Sequence, residues 1–379
     1  MTRIDAPWLN GAAAQAICAM LTDAGYQAWF VGGCVRNALM GAPVADLDLS
    51  TDALPDVVTR LANAAGFAVV PTGIAHGTVT VIAQNTPFEI TTFRRDVATD
   101  GRRATVAFAD NIRDDARRRD FTMNALYAGS DGIVADPLNG LPDLHARRIR
   151  FIEDADQRIK EDYLRILRYF RFYAWYGDVE AGPDPDALAA CAGNVEGLQT
   201  LSSERTTSEL LKLLAAPDPA PAVATMAATG ALAQILPGAN AAVLAVLVHV
   251  ETQAGLPPDP LRRLAVLGGD LSALRLSNSA KKYLDQMRSA HDAGALGYYF
   301  GVQVALDALA VRAASLGIEL DPNTAEIVNF AADQVFPLVA ADLMPRLQGP
   351  ALGQALTTAK ERWIASGFTL TKAELLRDL

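Results

Sequence analysis

Apolar residues recur at helical spacing from residue 10 to 24 (AAAQAICAMLTDA) and stop at a glycine, which predicts a helix. The run YQAWFVGG then reads as a buried strand ending at Gly32 and Gly33, and CVRNALMG as a helix that follows at once. Apolar and acidic residues alternate with a period of two across ADLDLST, as in a strand. After a helical stretch, PDVVTRLANAAG, come three more strand-like runs, FAVVPTG, GTVTVIA and PFEITTFRR. These elements predict an α/β unit with a mixed sheet. Beyond about Arg150 the strand signals cease, and Ala/Leu-rich helical segments such as EDYLRILRYFRFYAWYG and SERTTSELLKLLAA run to the C-terminus. Breakers cluster at residues 181–186, 217–221 and 255–260, which places connections between helical subdomains there. The expected fold class is α+β, a small mixed β-sheet with helices followed by an all-α remainder.

At 379 residues the chain exceeds one ordinary core and is expected to divide into several units. No apolar run reaches the roughly 18 residues that span a bilayer, and MTRIDAPWLN lacks a signal-peptide pattern, so a cytoplasmic protein without a membrane partner is expected. Cys18, Cys34 and Cys191 are widely spaced and lack nearby histidines, which predicts reduced thiols and no zinc site. Net charge is −10, which argues against nucleic acid as a partner. Its distribution argues otherwise: from Arg94 to Arg171 there are sixteen basic and fourteen acidic residues, nearly half of all the Lys and Arg in a fifth of the chain.

Candidate chemistry concentrates in three segments. In VGGCVRNALMGAPVADLDLST, alternation along the strand puts Asp46 and Asp48 on one face, where two like charges call for a cation. Mg²⁺ fits, as a hard ion that takes carboxylate oxygens and leaves positions for water and phosphates; two such ions would activate a 3′-hydroxyl and stabilise a leaving pyrophosphate. Gly32 and Gly33, lacking Cβ, let a triphosphate approach the backbone, and Arg36 adds a charge-assisted contact. Glu89, in PFEITTF, is a candidate third catalytic carboxylate from a neighbouring strand. The second segment is RRRDFTMNALY, where a helix beginning near Asp120 or Thr122 would set the arginines beside an anion-binding end; Arg119 is the candidate nucleotide contact. The third is EDYLRILRYFRF, where Asp162 and Arg165 share a helical face, Arg168 lies displaced around it, and Arg171 extends the basic stripe. An acceptor and a planar donor held together suit the reading of a base edge.

Taken together these segments resemble the class II tRNA nucleotidyltransferase and bacterial poly(A) polymerase family over roughly residues 25–235. GGCVRN with DLD looks like its motif A, RRDFTMNA its motif B, DPLNGLPDL its motif C, EDYLRILR its motif D and SERTTSELLKLL its motif E. The resemblance implies that Asp46 and Asp48 are metal ligands, that Gly33, Arg36 and Arg119 contact the nucleotide, and that Asp162 and Arg165 read the base with Arg168 and Arg171 in the same pocket. It implies a seahorse-like molecule: a nucleotidyltransferase head over residues 1–145, a base-recognising helical neck over 146–215, and a helical body and tail over 216–379 that binds tRNA. One departure is plain. The family's GGxVRD ends here in Asn37, which removes a negative charge beside Arg36 but keeps an acceptor.

The implied activity is template-independent addition of C-C-A to the 3′ end of tRNA from CTP and ATP. Poly(A) addition is the chief alternative; the chain ends LTKAELLRDL with no Lys/Arg-rich extension, which favours C-C-A. Partial addition, of C-C or A alone, is a further alternative. The stretch between Arg94 and Arg113, with TDGRRATV, looks like the family's flexible loop and favours the complete reaction. Two readings from other classes are weaker. A phosphohydrolase would need more histidines than the four present, around His291 and Asp292, and a silent RNA binder has no use for paired carboxylates that repel phosphate.

Overall fold

The computed structural model describes residues 1–74, 77–100, 103–344 and 346–377. The chain forms two compact units, one of Met1–Thr206 with Thr225–Ile235 and the other of Thr207–Ala224 with Leu236–Leu379.

The first unit is built on a sheet of seven strands: β1 (Trp29–Val31), β2 (Leu47–Thr51), β3 (Ala68–Gly73), β4 (Thr78–Ala83), β5 (Thr86–Thr92), and, beyond a separate hairpin of β6 (Arg94–Asp100) and β7 (Arg103–Phe108), β8 (Tyr127–Ala128) and β9 (Val134–Ala135). Their spatial order is β3-β4-β5-β2-β1-β8-β9. Among the described residues β2 and β5 run parallel and the other pairings in the sheet are antiparallel, so the expected mixed sheet is borne out. Alternate residues of β4 and β5, among them Val79, Val81, Phe88 and Ile90, are buried. The helix Ala12–Thr22 packs on β4, and Pro55–Ala64 on β3, β4 and β5. Ala14, Ile17, Cys18 and Leu21 of the first helix are buried at helical spacing. Pro55 at the first position of the second supplies a fixed φ where no amide is needed.

Helices Ala155–Glu161, Leu164–Tyr176 and Pro185–Gly193 complete most of this unit. The long middle helix is anchored by aromatics: Phe121 lies 5.0 Å from Phe172 and 4.9 Å from Phe151, and Phe151 stacks on Tyr169 at 5.8 Å, centroid to centroid. Beyond Arg150 the chain is helical, as expected, with connections at the three breaker clusters. All three cysteines are free and buried.

The stretch that looks like the family's flexible loop holds the paired strands β6 and β7, with Gly101 and Arg102 outside the described residues. Two local expectations give way. No regular helix starts near Asp120: the helix Ile112–Arg117 ends beside the arginines, and Thr122–Asn124 makes a single 3₁₀ turn. The arginines therefore sit at a helix C-terminus, where cations are favoured, instead of at an anion-binding start. EDYLRILR is not one continuous helix, because Asp162 is extended (φ −156°, ψ 105°) between Ala155–Glu161 and Leu164–Tyr176.

The second unit is all-helical in its regular elements and contains a buried charge cluster. Arg262 and Arg263 are almost fully excluded from solvent. Glu251 accepts from Arg262 Nε at 2.9 Å and from Arg263 Nη2 at 2.8 Å. Asp307 takes a second bond from Arg262 at 2.5 Å, and the carbonyl of Leu214 one from Arg263 at 2.6 Å. Among the described residues no helix is long and apolar enough to cross a membrane. Glu251→Ala would leave buried Arg263 without a carboxylate partner while Arg262 keeps Asp307, and breaking a buried pair this way costs about 3–5 kcal/mol. Denaturant unfolding should record that loss, and a change below about 1 kcal/mol would contradict the coupling described.

Candidate active site

Strand β1 delivers the chain to Gly32, whose φ of +73° suits a residue without Cβ. A Cβ there would meet Arg119 Nη1 at 3.3 Å, so the glycine also lets that guanidinium lie against the backbone. Gly33 opens the helix Gly33–Leu39, which carries Arg36 inward. Arg36 is 6% exposed. It donates to Asn124 Oδ1 at 2.5 Å, to Tyr176 Oη at 2.8 Å and twice to Asn37 Oδ1, at 3.1 and 2.9 Å, and stacks 4.1 Å from the Tyr176 ring centroid. Asn37 thus serves as acceptor, while its amide donates to the carbonyl of Pro43 at 2.7 Å. An aspartate could not make that second bond.

Asp48 stands on β2 directly beside Glu89 of the parallel strand β5. Its carboxyl is raised from 3.8 to about 6, first by burial, then by the negative charge of Glu89 and, more weakly, of Asp46; Arg119 acts in the opposite sense. Asp46, just before the strand, and Glu89 are both exposed. Among the described residues no three acidic, histidine or cysteine side chains are grouped to hold a metal. The charge repulsion at Asp48 still fits a hard cation that takes few protein ligands and fills its other positions with water and phosphate oxygens.

A cleft of about 470 Å³ opens between these residues and the Leu164–Tyr176 helix. Of the residues expected from sequence, Gly32, Gly33, Arg36, Asp48, Arg119, Asp162, Arg165 and Arg168 line it. Arg171 does not; it stacks 4.8 Å from the Phe172 ring centroid. Asp162 and Arg165, expected on one helical face, do not bond each other. Asp162 accepts from Arg205 Nη2 at 2.7 Å and from the amide of Leu164 at 3.1 Å, whereas Arg165 donates to Glu161 at 2.6 Å. The break at Asp162 is the reason, since it turns that carboxylate out of the helical register.

Sequence reasoning missed Arg118, Asp120, Asn124, Phe172 and Arg205, all of which also line the cleft. Asp120 is 8% exposed and joins two walls: its carboxylate accepts from Arg168 Nε at 2.8 Å and from Asn124 Nδ2 at 2.8 Å. Burial alone would raise its pKa, but Arg168 and Asn124 hold it below the usual carboxylate range. The signal lies in RRDFTMNA, where an acid and an amide four residues apart accompany the arginines. A larger hollow of about 550 Å³ is bordered by Asp154, Asp156 and Asp184. It contains none of the expected residues, and these carboxylates serve local structure: Asp154 and Asp184 cap helices and Asp156 bonds Lys160 and Asn194.

A small mixed sheet with a carboxylate-bearing strand, a glycine turn and an arginine-walled cleft defines the nucleotidyltransferase class. Residues 28–150 match the family described as Poly A polymerase head domain, and residues 183–243 that described as Probable RNA and SrmB-binding site of polymerase A. A CCA-adding enzyme of Limosilactobacillus fermentum is 33% identical over 96% of this chain and 97% of its own length. The human mitochondrial CCA tRNA nucleotidyltransferase 1 is 45% identical over 48% of this chain. The matches to the human, mouse and zebrafish proteins cover 42%, 42% and 43% of those relatives, so the chain spans under half of their length. The crystal structure of the Bacillus stearothermophilus CCA-adding enzyme in complex with CTP superposes with a TM-score of 0.73 at 28% identity, covering 93% of this chain and 92% of that one. This chain belongs to the CCA-adding enzyme family. Nucleotidyltransferases of this family generally use divalent metal ions.

The raised carboxyl of Asp48 has a consequence for stability. Between 3.8 and about 6 the folded protein holds a proton that the unfolded chain releases, so with metal removed Asp48 adds stability as pH falls through about 6. In chelator-treated protein the Tm of the natural chain should rise relative to that of Asp48→Asn on going from pH 7 to pH 5. A difference that stays constant with pH would contradict this environment for Asp48.

Proposed function

We propose that the protein adds C-C-A to the 3′ end of tRNA from CTP and ATP, without a nucleic-acid template. The observation that carries this reading is the sharing of one cleft by Asp48 and by the pair Asp162 and Arg165. We assign Asp46 and Asp48 to hold Mg²⁺, which would supply positive charge to the reacting phosphate and lower the cost of ionising the attacking hydroxyl. Arg36 and Arg119, with the backbone of Gly32 and Gly33, face the triphosphate; fixed guanidinium groups suit phosphate oxygens because their donors are planar and always charged.

The base is read by elementary complementarity. Cytosine and adenine each present an exocyclic amino donor beside a ring acceptor, whereas uracil and guanine present a carbonyl beside an N–H. Asp162 accepts from the amino group and Arg165 donates to the ring nitrogen, so this pair favours C and A over U and G. Arg168 and Arg171 support the same pocket, and Glu89 modulates the charge at Asp48. In this reading residues 1–145 perform the transfer, 146–215 select the base and 216–379 carry the tRNA. tRNA, CTP and ATP meet in the cytoplasm, where we place the protein.

The test supplies purified protein and Mg²⁺ with tRNA transcripts ending before C-C-A, after C-C, or complete, and with labelled CTP and ATP. The expected result is C, C and A in order and then a stop. Lengthening A-tails would make it a poly(A) polymerase, addition of C-C or A alone a partial enzyme, and no incorporation a silent binder. Asp162→Ala or Arg165→Ala should lower the preference for CTP and ATP over UTP and GTP by about tenfold or more. Unchanged selectivity in both would remove the pair from base reading.

A further inference from the structure

Asp115 lies outside the cleft, on the helix Ile112–Arg117, and is completely buried. Burying a carboxylate is costly unless charged and hydrogen-bonding partners surround it, and an apolar residue commonly serves a purely structural position as well or better. One carboxylate oxygen takes Arg118 and, at 3.4 Å, the amide of Arg94, while the partners of the other converge on Arg119. Asp115 Oδ2 accepts from Arg119 Nη2 at 3.1 Å and from Tyr127 Oη at 2.8 Å, and Tyr127 Oη accepts in turn from Arg119 Nε at 3.2 Å. Ser50 Oγ closes the ring, 3.4 Å from both Arg119 Nη2 and Asp115 Oδ2. The other carboxylate oxygen takes Nε of Arg118, a second residue of the cleft wall, at 2.8 Å.

Two of the three nitrogens of Arg119 are therefore tied down on the side away from the cleft. The third, Nη1, has no hydrogen-bond partner among the described residues and lies against Gly32, where a Cβ would come within 3.3 Å of it. A planar guanidinium fixed at Nε and Nη2 has its remaining nitrogen fixed too. We infer that Asp115 is a positioning residue for nucleotide binding, which, with Tyr127, holds Arg119 so that Nη1 meets a phosphate of the incoming CTP or ATP. The inference rests on the reading above in which Arg119 contacts the nucleotide.

Steady-state kinetics on tRNA lacking C-C-A, with Arg119→Ala, Asp115→Asn, Tyr127→Phe and the Asp115→Asn/Arg119→Ala double variant, tests it. Loss of a supporting partner of this kind typically costs about 10- to 100-fold. Asp115→Asn should raise KM for CTP and ATP alike by about tenfold while KM for tRNA is unchanged, and the double variant should be no worse than Arg119→Ala alone. Tyr127→Phe keeps the carboxylate and should shift KM in the same direction by a smaller factor, which preserves the test if Asp115→Asn does not fold. A raised KM in Arg119→Ala with nucleotide KM unchanged in Asp115→Asn and Tyr127→Phe would overturn the positioning role alone. So would effects that multiply in the double variant. Unchanged nucleotide KM in Arg119→Ala would overturn the Arg119 assignment and this inference with it.

Discussion

Six arginines, at positions 36, 118, 119, 165, 168 and 205, border one cleft. Left to themselves such charges repel one another and drift toward water. The structure holds them by meeting them individually: Asp115 takes Arg118 and Arg119, Asp120 takes Arg168, Glu161 takes Arg165, Asp162 takes Arg205, and Asn124 and Tyr176 take Arg36. Asp115 and Asp120 pay the desolvation that makes this possible, and the arginines around them keep both carboxyls ionised well below the usual range. The result is a set of donors whose directions are fixed before any ligand arrives, which is the arrangement that makes electrostatic recognition effective.

The same compensation explains how a chain of net charge −10 presents a face suited to phosphate. Excess acid elsewhere does not cancel a local field produced inside a partly desolvated cleft. Asp48 lines the same cleft with the opposite charge. Burial and its acidic neighbours raise its carboxyl, and Arg119 only partly offsets them, so the site favours a cation there and an anion a few side chains away. Asn37 fits the scheme without the charge that the family pattern would supply, because its amide satisfies both Arg36 and the carbonyl of Pro43.

Much of this was legible in the sequence. The strand, glycine turn, helix and strand of residues 29–51 follow from local periodicity and breakers, and they carry Gly32, Gly33, Arg36 and Asp48 into the cleft as expected. What escaped was set by tertiary contact. Arg205 is 43 residues from Asp162, and nothing local pairs them. The break at Asp162 was hidden because EDYLRILR has continuous helical propensity on both sides, and only the bonds of Asp162 to Leu164 and Arg205 mark it. The helix expected near Asp120 failed for a related reason: the side chain of Asp120 is spent on Arg168 and Asn124 instead of capping a longer helix. Asp115 carried no signal as a site residue at all, since an acid beside three arginines reads as surface charge until its burial is seen.

In the proposed function one preorganised cleft receives both CTP and ATP. Calorimetric titration of the tRNA-free protein with each nucleotide, followed by titration of the CTP-loaded protein with ATP, tests it directly. One CTP or one ATP should bind per chain, with the second displacing the first; binding of both nucleotides at once to a single chain would contradict a shared cleft.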